Sequence, residues 1–200
     1  MNIIDEEQRI KIILVGEPGT GKTSLINTAV GKKFEKGKEL SSIKCSYVKL
    51  TKVIEDTEYN INLWDTIGQE RFRSLTKVFF KNSDIVIFVF DITQKQSFDD
   101  LEYWFKIIKE ELGNAPIKGL AANKQDLFEY QKVDDDTIQM YADKKGIKYK
   151  FTTATNPTNF SKLIEELLIE FLKNGFSENR KKIIGKKLSN KKVKNKKKCC

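Results

Sequence analysis

The sequence contains no histidine, and this absence excludes several kinds of chemistry. None of its 200 residues is histidine, so imidazole general bases, Ser-His triads and the usual Cys/His zinc sites are ruled out. Any catalysis by this chain must therefore rest on carboxylates, amides, hydroxyls and lysines.

Cysteines and long apolar segments are also scarce. The three cysteines, Cys45 and the adjacent pair Cys199 and Cys200, do not form a disulfide framework. The opening MNIIDEEQRI has no apolar signal core, and the longest apolar run, IVIFVF at 85–90, is too short to span a bilayer. We therefore expect a protein that is made and kept in a reducing cytoplasm.

Acidic residues are nearly missing from the end of the chain. Residues 177–200 contain eleven lysines and arginines against one acid, Glu178, whereas the whole chain has a net charge of +9. Residues 1–176 are therefore close to neutral, as in an ordinary globular domain. The length suits one domain plus a tail, and we predict a domain at 8–175 and a disordered basic tail at 176–200.

Apolar runs alternate with segments of helical periodicity. IKIILV (10–15), IVIFVF and IKGLAA (117–122) are nearly continuously apolar, which is typical of parallel strands covered on both faces. Helices are predicted at 97–112, with Ser97 as N-cap, at 134–146 and at 160–175, and a strand hairpin at 44–53 and 58–64. This order predicts an α/β fold: an open, mostly parallel six-stranded sheet with one antiparallel edge strand and about five helices on both faces.

GEPGTGKT at 16–23 matches the pattern G-x-x-x-x-G-K-[ST] between a strand and a helix. Backbone N–H groups of such a loop hold phosphates at the helix N-terminus, a lysine reaches the β- and γ-phosphates, and a hydroxyl ligates Mg²⁺. A glycine-rich turn without a ligand is the alternative. The predicted nucleotide contacts are Glu17, Pro18, Gly19, Thr20, Gly21, Lys22, Thr23 and Ser24. This motif makes the expected fold a P-loop NTPase-type fold.

ANKQD at 122–126 follows a predicted strand and so lies at the same sheet edge as the phosphate loop. A carboxylate at Asp126 can accept hydrogen bonds from N1–H and the exocyclic amine of guanine, whereas adenine presents the opposite pattern. Asn123 would brace the loop, and the stem of Lys124 would cover the ring. An ordinary polar turn is the alternative reading; together with the phosphate loop, the motif favours guanine.

These motifs resemble those of small GTPases of the Ras superfamily, most closely the Rab branch. The resemblance covers about residues 8–174 and the two terminal cysteines. It rests on GEPGTGKT, WDTIGQERFRSLT (64–76), FDITQKQSF (90–98), NKQD (123–126), a helix containing Trp104, and TTAT (152–155). It implies a GTP-binding and GTP-hydrolysing switch that uses Mg²⁺.

The resemblance also assigns roles to single residues. It implies that Asp65 holds Mg²⁺ through water, that Gly68 N–H senses the γ-phosphate, and that Gln69 orients the attacking water, with Lys22 as the second catalytic residue. The implied base contacts are Phe34, Thr153, Ala154 and Thr155.

The switch segment departs from the family pattern. The Mg²⁺-ligating threonine of Rab-like chains is matched by Ser42, with Ser41 as the alternative one residue away. Ile67 stands where the family has alanine, and Pro18 removes one N–H from the phosphate loop. A module that binds GTP or GDP but scarcely hydrolyses it is therefore an alternative function.

The same resemblance implies partners and a location. The partners are a GTPase-activating protein, an exchange factor, effectors on the switch loops, and prenylation escort and dissociation-inhibitor-type proteins. The chain itself is expected to be monomeric. Candidate effector contacts are Ile43, Tyr47, Trp64, Phe72 and Leu75, and packing in the core is the alternative for each of them.

The ending KKVKNKKKCC resembles the site where Rab proteins receive two geranylgeranyl chains, here on Cys199 and Cys200. Two lipids and a basic segment suffice for stable anchoring. We therefore expect a cytoplasmic protein that cycles onto intracellular membranes in vesicle traffic. A nucleic-acid-associated GTPase is a weaker alternative that only the basic tail suggests, and no nucleic-acid partner is expected.

Overall fold

The computed structural model describes residues 10–34, 46–65, 80–114 and 116–174, together with the backbone of residues 185–187. The predicted switch residues Ser41, Ser42, Ile67, Gly68 and Gln69 lie outside these ranges, as do both terminal cysteines.

The strands form one mixed sheet. They are β1 (Ile10–Val15), β2 (Ser46–Ile54), β3 (Thr57–Asp65), β4 (Ile85–Asp91), β5 (Ile117–Asn123), β6 (Lys148–Phe151) and β7 (Gly185–Lys187). The main path runs β2-β3-β1-β4-β5-β6, and β2 is its antiparallel edge strand while the other five are parallel. The predicted six-stranded, mostly parallel sheet is confirmed.

Five α-helices and one 3₁₀ helix connect the strands of the described residues. They are α1 (Lys22–Ala29), α2 (Lys95–Asp99), α3 (Leu101–Leu112), the 3₁₀ helix Gln125–Tyr130, α4 (Asp135–Lys145) and α5 (Thr158–Lys173). Local chemistry explains the limits of α4: the Asp134 carboxylate accepts from Thr137 N–H at 2.8 Å, and Gly146 ends the helix with φ of 63°.

The prediction of a single helix at 97–112 with Ser97 as N-cap is wrong. The segment contains two helices, α2 and α3, and α2 begins two residues earlier at Lys95. The Ser97 hydroxyl does not cap; it donates to the carbonyl of Gln94 at 2.7 Å and accepts from the Asp91 N–H at 3.0 Å. A serine three residues into a helix can satisfy its hydroxyl on the preceding turn, so its position alone does not identify the start.

Alternation along the buried strands divides the core between the two sheet faces. Ile12 and Leu14 of β1 belong to the face covered by α1 and α5, whereas Ile13 and Val15 belong to the face covered by α2, α3 and α4. Because both faces are covered, central β4 is buried along its whole length. This arrangement holds the strand ends rigidly in one row.

β7 is a short strand within the segment predicted to be disordered. Thr57, Glu58 and Tyr59 of β3 pair antiparallel with it, whereas β1 pairs with β3 only from Ile61 onward. The β2–β3 hairpin therefore extends past the start of β1, and β7 occupies the open edge left there.

Candidate nucleotide-binding site

The candidate site lies along the carboxyl ends of the parallel strands. Gly16 follows β1, Asp65 ends β3, Asp91 ends β4, Asn123 ends β5 and Thr152 follows β6. Ligands of open α/β sheets bind at this edge, where the connections diverge to opposite sides. Segments up to 136 residues apart in the chain are thus brought to one edge.

Two glycines permit the path of the phosphate loop. A Cβ on Gly16 would lie 2.0 Å from the carbonyl oxygen of Val89, and one on Gly21 would lie 2.4 Å from Asn123 Nδ2. Gly21 has φ of 91° and precedes α1, whose start has no side-chain cap and no acid in the first turn. The first-turn N–H groups and the positive end of this helix therefore form the kind of terminus that binds an anion.

Lys22 is buried beneath the phosphate loop. Its Nζ donates to the carbonyls of Gly16 and Glu17, both at 2.8 Å, and the residue is 5% exposed. Burial lowers the pKa of Lys22 to about 8, against the charges of Asp65 and Glu17, which raise it. An ammonium has three donors, and its bonds within the described residues use two of them, so the third can reach a phosphate oxygen. A phosphate would also offset the cost of burying this charge.

Thr23 and Asp65 meet at the start of α1. The Thr23 hydroxyl donates to Asp65 Oδ2 at 2.7 Å, and Asp65 is 3% exposed. A hydroxyl and a carboxylate are hard oxygen donors, the type that Mg²⁺ prefers beside phosphates. The two predicted ligands that the structure describes therefore fit this ion.

Asn123 joins the predicted base-binding loop to the phosphate loop. Its Nδ2 donates to the carbonyl of Thr20 at 2.7 Å, and its Oδ1 accepts from the Thr152 hydroxyl at 3.1 Å. The side chain is 1% exposed. Both ends of the amide are satisfied inside the protein, so the residue works as a brace between two loops.

The predicted base-reading residues also come together. The Thr153 hydroxyl donates to Asp126 Oδ1 and lies 2.8 Å from the Thr155 hydroxyl. The Thr155 N–H donates to Thr153 Oγ1 at 3.1 Å. The half-buried Ala154 stands between these threonines. The Thr153 hydroxyl, which contacts that of Thr155, directs the exposed Asp126 carboxylate.

Asp91 is a site residue that the sequence analysis missed. The Lys124 ammonium pairs with Asp91 Oδ2 at 2.7 Å, and the Asp91 side chain is 1% exposed. Lys124 has φ of 68°, a left-handed conformation that turns the chain after β5. The sequence did contain a signal for Asp91: it is the acid of FDITQKQSF and directly follows a predicted strand. An acid in that position lies at the edge of the sheet where ligands bind.

A second missed contact involves Trp104, whose indole Nε1 donates to Glu17 Oε1 at 3.0 Å.

The remaining predicted nucleotide contacts differ in exposure. Pro18 and Gly19 are exposed, Ser24 is half-buried in α1, and Phe34 is half-buried where a described range ends. Among the residues that the structure describes, no helix combines the length and the apolar character that crossing a membrane requires.

Comparison with known proteins agrees with this geometry. The Ras family model matches residues 11–170. The chain is 31% identical to Ras-related protein RABF2b of Arabidopsis thaliana over 157 residues, 78% of each chain. It is 33% identical to Ras-related protein Rab-21 of Bos taurus over 163 residues, 82% of this chain and 71% of the relative. It is 28% identical to Ras-related protein Rab2BV of Beta vulgaris over 171 residues, 84% and 79% of the two chains. The chain belongs to the Ras family and is a Rab-like small GTPase.

Proposed function

We propose that this protein is a Rab-type switch that binds GTP, hydrolyses it to GDP and phosphate, and regulates vesicle traffic. The observation that carries the proposal is the buried hydrogen bond from Asn123 Nδ2 to the Thr20 carbonyl at 2.7 Å. This bond couples the phosphate loop to the loop that bears Asp126. A single ligand with a guanine at one end and phosphates at the other would fit these two loops together.

The site residues would divide the work of binding. Lys22 and the N-terminus of α1 would neutralise phosphate charge, and Asp126 would accept from the guanine edge, held by Thr153. Thr23, Asp65 through water, and Ser42 would hold Mg²⁺, which supplies charge neutralisation at the phosphate oxygens when bound.

Hydrolysis needs a positioned water and little covalent chemistry from the protein. Gln69 would orient this water, and the Gly68 N–H would contact the γ-phosphate. No internal arginine finger is expected, because Arg71 and Arg73 follow Gln69 in the switch segment. We therefore expect slow turnover that a GTPase-activating protein accelerates, with effectors distinguishing the two nucleotide states.

Single-turnover phosphate release from the purified chain loaded with GTP, started with millimolar Mg²⁺, tests hydrolysis. Wild type should release one phosphate per bound nucleotide, and Gln69→Leu should bind GTP equally but release phosphate much more slowly. Release at background rates from wild type even with a GTPase-activating protein, while GTP binding is intact, would instead favour the binding module suggested by Ile67 and Pro18.

Membrane attachment belongs to the same proposal. Prenylation of Cys199 and Cys200, after delivery by an escort protein, would anchor the chain on the cytoplasmic face of intracellular membranes. A dissociation-inhibitor-type protein would extract the GDP-bound form. The Rab relatives support this setting, and the basic segment at 177–200 would add attraction to anionic lipids.

A further inference from the structure

The phosphate loop is attached to the rest of the protein on two sides. Asn123 holds it through the Thr20 carbonyl at 2.7 Å. On the other side, Trp104 of α3 holds the Glu17 carboxylate at 3.0 Å. The second contact joins residues 87 positions apart and uses a charged acceptor, the stronger class of hydrogen bond.

Packing fixes the direction of the Trp104 N–H. The residue is 5% exposed and belongs to the core cluster beneath α3, together with Phe98, Leu101 and Ile108. Its ring also meets the edge of Tyr103, with centroids 5.6 Å apart. An indole held on several sides presents its donor in one direction, so the bond to Glu17 is pre-organised.

The backbone of Glu17 carries this constraint to the phosphate-binding lysine. The Glu17 carbonyl accepts from Lys22 Nζ at 2.8 Å and from the Thr20 hydroxyl at 2.9 Å. Pro18, which follows, has a fixed φ and limits rotation of the adjoining chain. Restraining the Glu17 side chain therefore restrains the carbonyl that sets the direction of the Lys22 ammonium.

We propose that Trp104 is a positioning residue for the phosphate loop, which acts through the Glu17 carboxylate to hold Lys22 towards the β- and γ-phosphates. The inference rests on the proposed nucleotide-binding function and adds a residue outside the sequence motifs of that site. It makes α3 a structural support of the phosphate loop, in addition to its role in the core.

The test compares the affinities of the full chain for GDP and GMP. Both ligands carry the base, but only GDP carries the β-phosphate to which Lys22 would be directed. Trp104→Phe should lower the GDP-to-GMP affinity ratio about tenfold, the scale of one hydrogen bond to a charged acceptor.

Phe105→Leu is the matched control: Phe105 is on the same helix, and its ring stacks on that of Phe88 with the centroids 3.8 Å apart. It should lower the melting temperature and leave the ratio unchanged.

A mutant cycle tests the route through Glu17. Glu17→Met removes the acceptor and should lower the ratio as Trp104→Phe does, while Glu17→Gln keeps an acceptor oxygen and should restore part of it. Adding Trp104→Phe to Glu17→Met should cause no further loss. An unchanged ratio in Trp104→Phe, or additive losses in the double variant, would overturn the inference. A wild-type chain that binds neither GDP nor GMP would instead overturn the nucleotide-binding function itself.

Discussion

At the scale of single residues, short hydrogen-bond chains aim the polar groups of the site. The exposed Asp126 carboxylate is held by the Thr153 hydroxyl, which in turn contacts Thr155. The buried Asn123 amide is satisfied at both ends. Residue type alone indicates what such groups can bind, whereas their direction depends on partners from other segments.

Replacing Asp126 by asparagine should change base preference. An amide can donate to the C2 oxygen of xanthine but repels the exocyclic amine of guanine, so Asp126→Asn should lose GTP affinity and gain xanthosine triphosphate affinity. Competition binding with both nucleotides measures the exchange. Asp135→Asn, at the exposed start of α4, is the control and should leave both affinities unchanged. Unaltered GTP binding by Asp126→Asn would refute the assignment of the base reader.

The buried Lys22 predicts a pH dependence for the nucleotide-free protein. Its pKa is about 8 when folded and 10.5 in the unfolded chain, so between these values the unfolded chain binds the extra proton. The free energy of unfolding should therefore rise with pH across this window, by about 2 to 3 kcal/mol in total.

Urea unfolding at pH 7.5 and pH 10, for wild type and Lys22→Met, isolates this contribution, because the other titrating groups are common to both chains. The rise should be larger in wild type by the stated amount. Equal pH dependence in the two proteins would show that burial does not shift this lysine.

At the scale of elements, hydrophobic patterning located β1 to β5 to within a residue or two, but gave no bounds for β6 and missed one helix boundary. β4 and β5 each end one residue beyond the predicted runs. The sequence did not predict the α2–α3 break at Asp100 or the pairing of β7, because both depend on residues that are close in space but not in the chain. Fully apolar strands are easier to recognise than a three-residue strand in a lysine-rich segment.

The pairing of β7 with β3 predicts a specific cross-link. Glu58 and Lys186 are directly opposite in the register, and opposite residues of antiparallel strands come within disulfide range. In a chain with Cys45, Cys199 and Cys200 changed to serine, Glu58→Cys with Lys186→Cys should form a disulfide under mild oxidation, seen as a gel shift.

Val53→Cys with Lys186→Cys is the matched control for this cross-link. Val53 pairs with Glu58 from the opposite side, so it lies two strands from β7 and should not react. Equal cross-linking of both pairs would show that β7 does not occupy this edge.

At the scale of the whole molecule, charge is divided between a near-neutral domain and a strongly basic end. Eleven lysines and arginines lie in residues 177–200. The nucleotide site is at the carboxyl edge of the sheet, whereas β7 pairs with the first residues of β3, at the opposite edge.

Membrane partitioning of the chain expressed in eukaryotic cells tests the proposed anchor. Wild type should enter the membrane fraction and carry two prenyl groups on its C-terminal peptide by mass. Cys199→Ser/Cys200→Ser should be unmodified and remain in the soluble fraction. Replacing Lys196, Lys197 and Lys198 by glutamine should weaken binding to anionic vesicles by up to about 1 kcal/mol per residue. An unmodified, soluble wild type would contradict the lipid anchor.

The sequence by itself determined the kind of ligand and the class of fold, because both are written in contiguous patterns. Eight consecutive residues specify a strand-to-helix phosphate loop, and apolar runs specify buried parallel strands. Only the tertiary structure decided which distant residues support that loop. The contacts of Asn123 with Thr20, Lys124 with Asp91 and Trp104 with Glu17 exist because the strand order and helix packing bring separate segments to one edge.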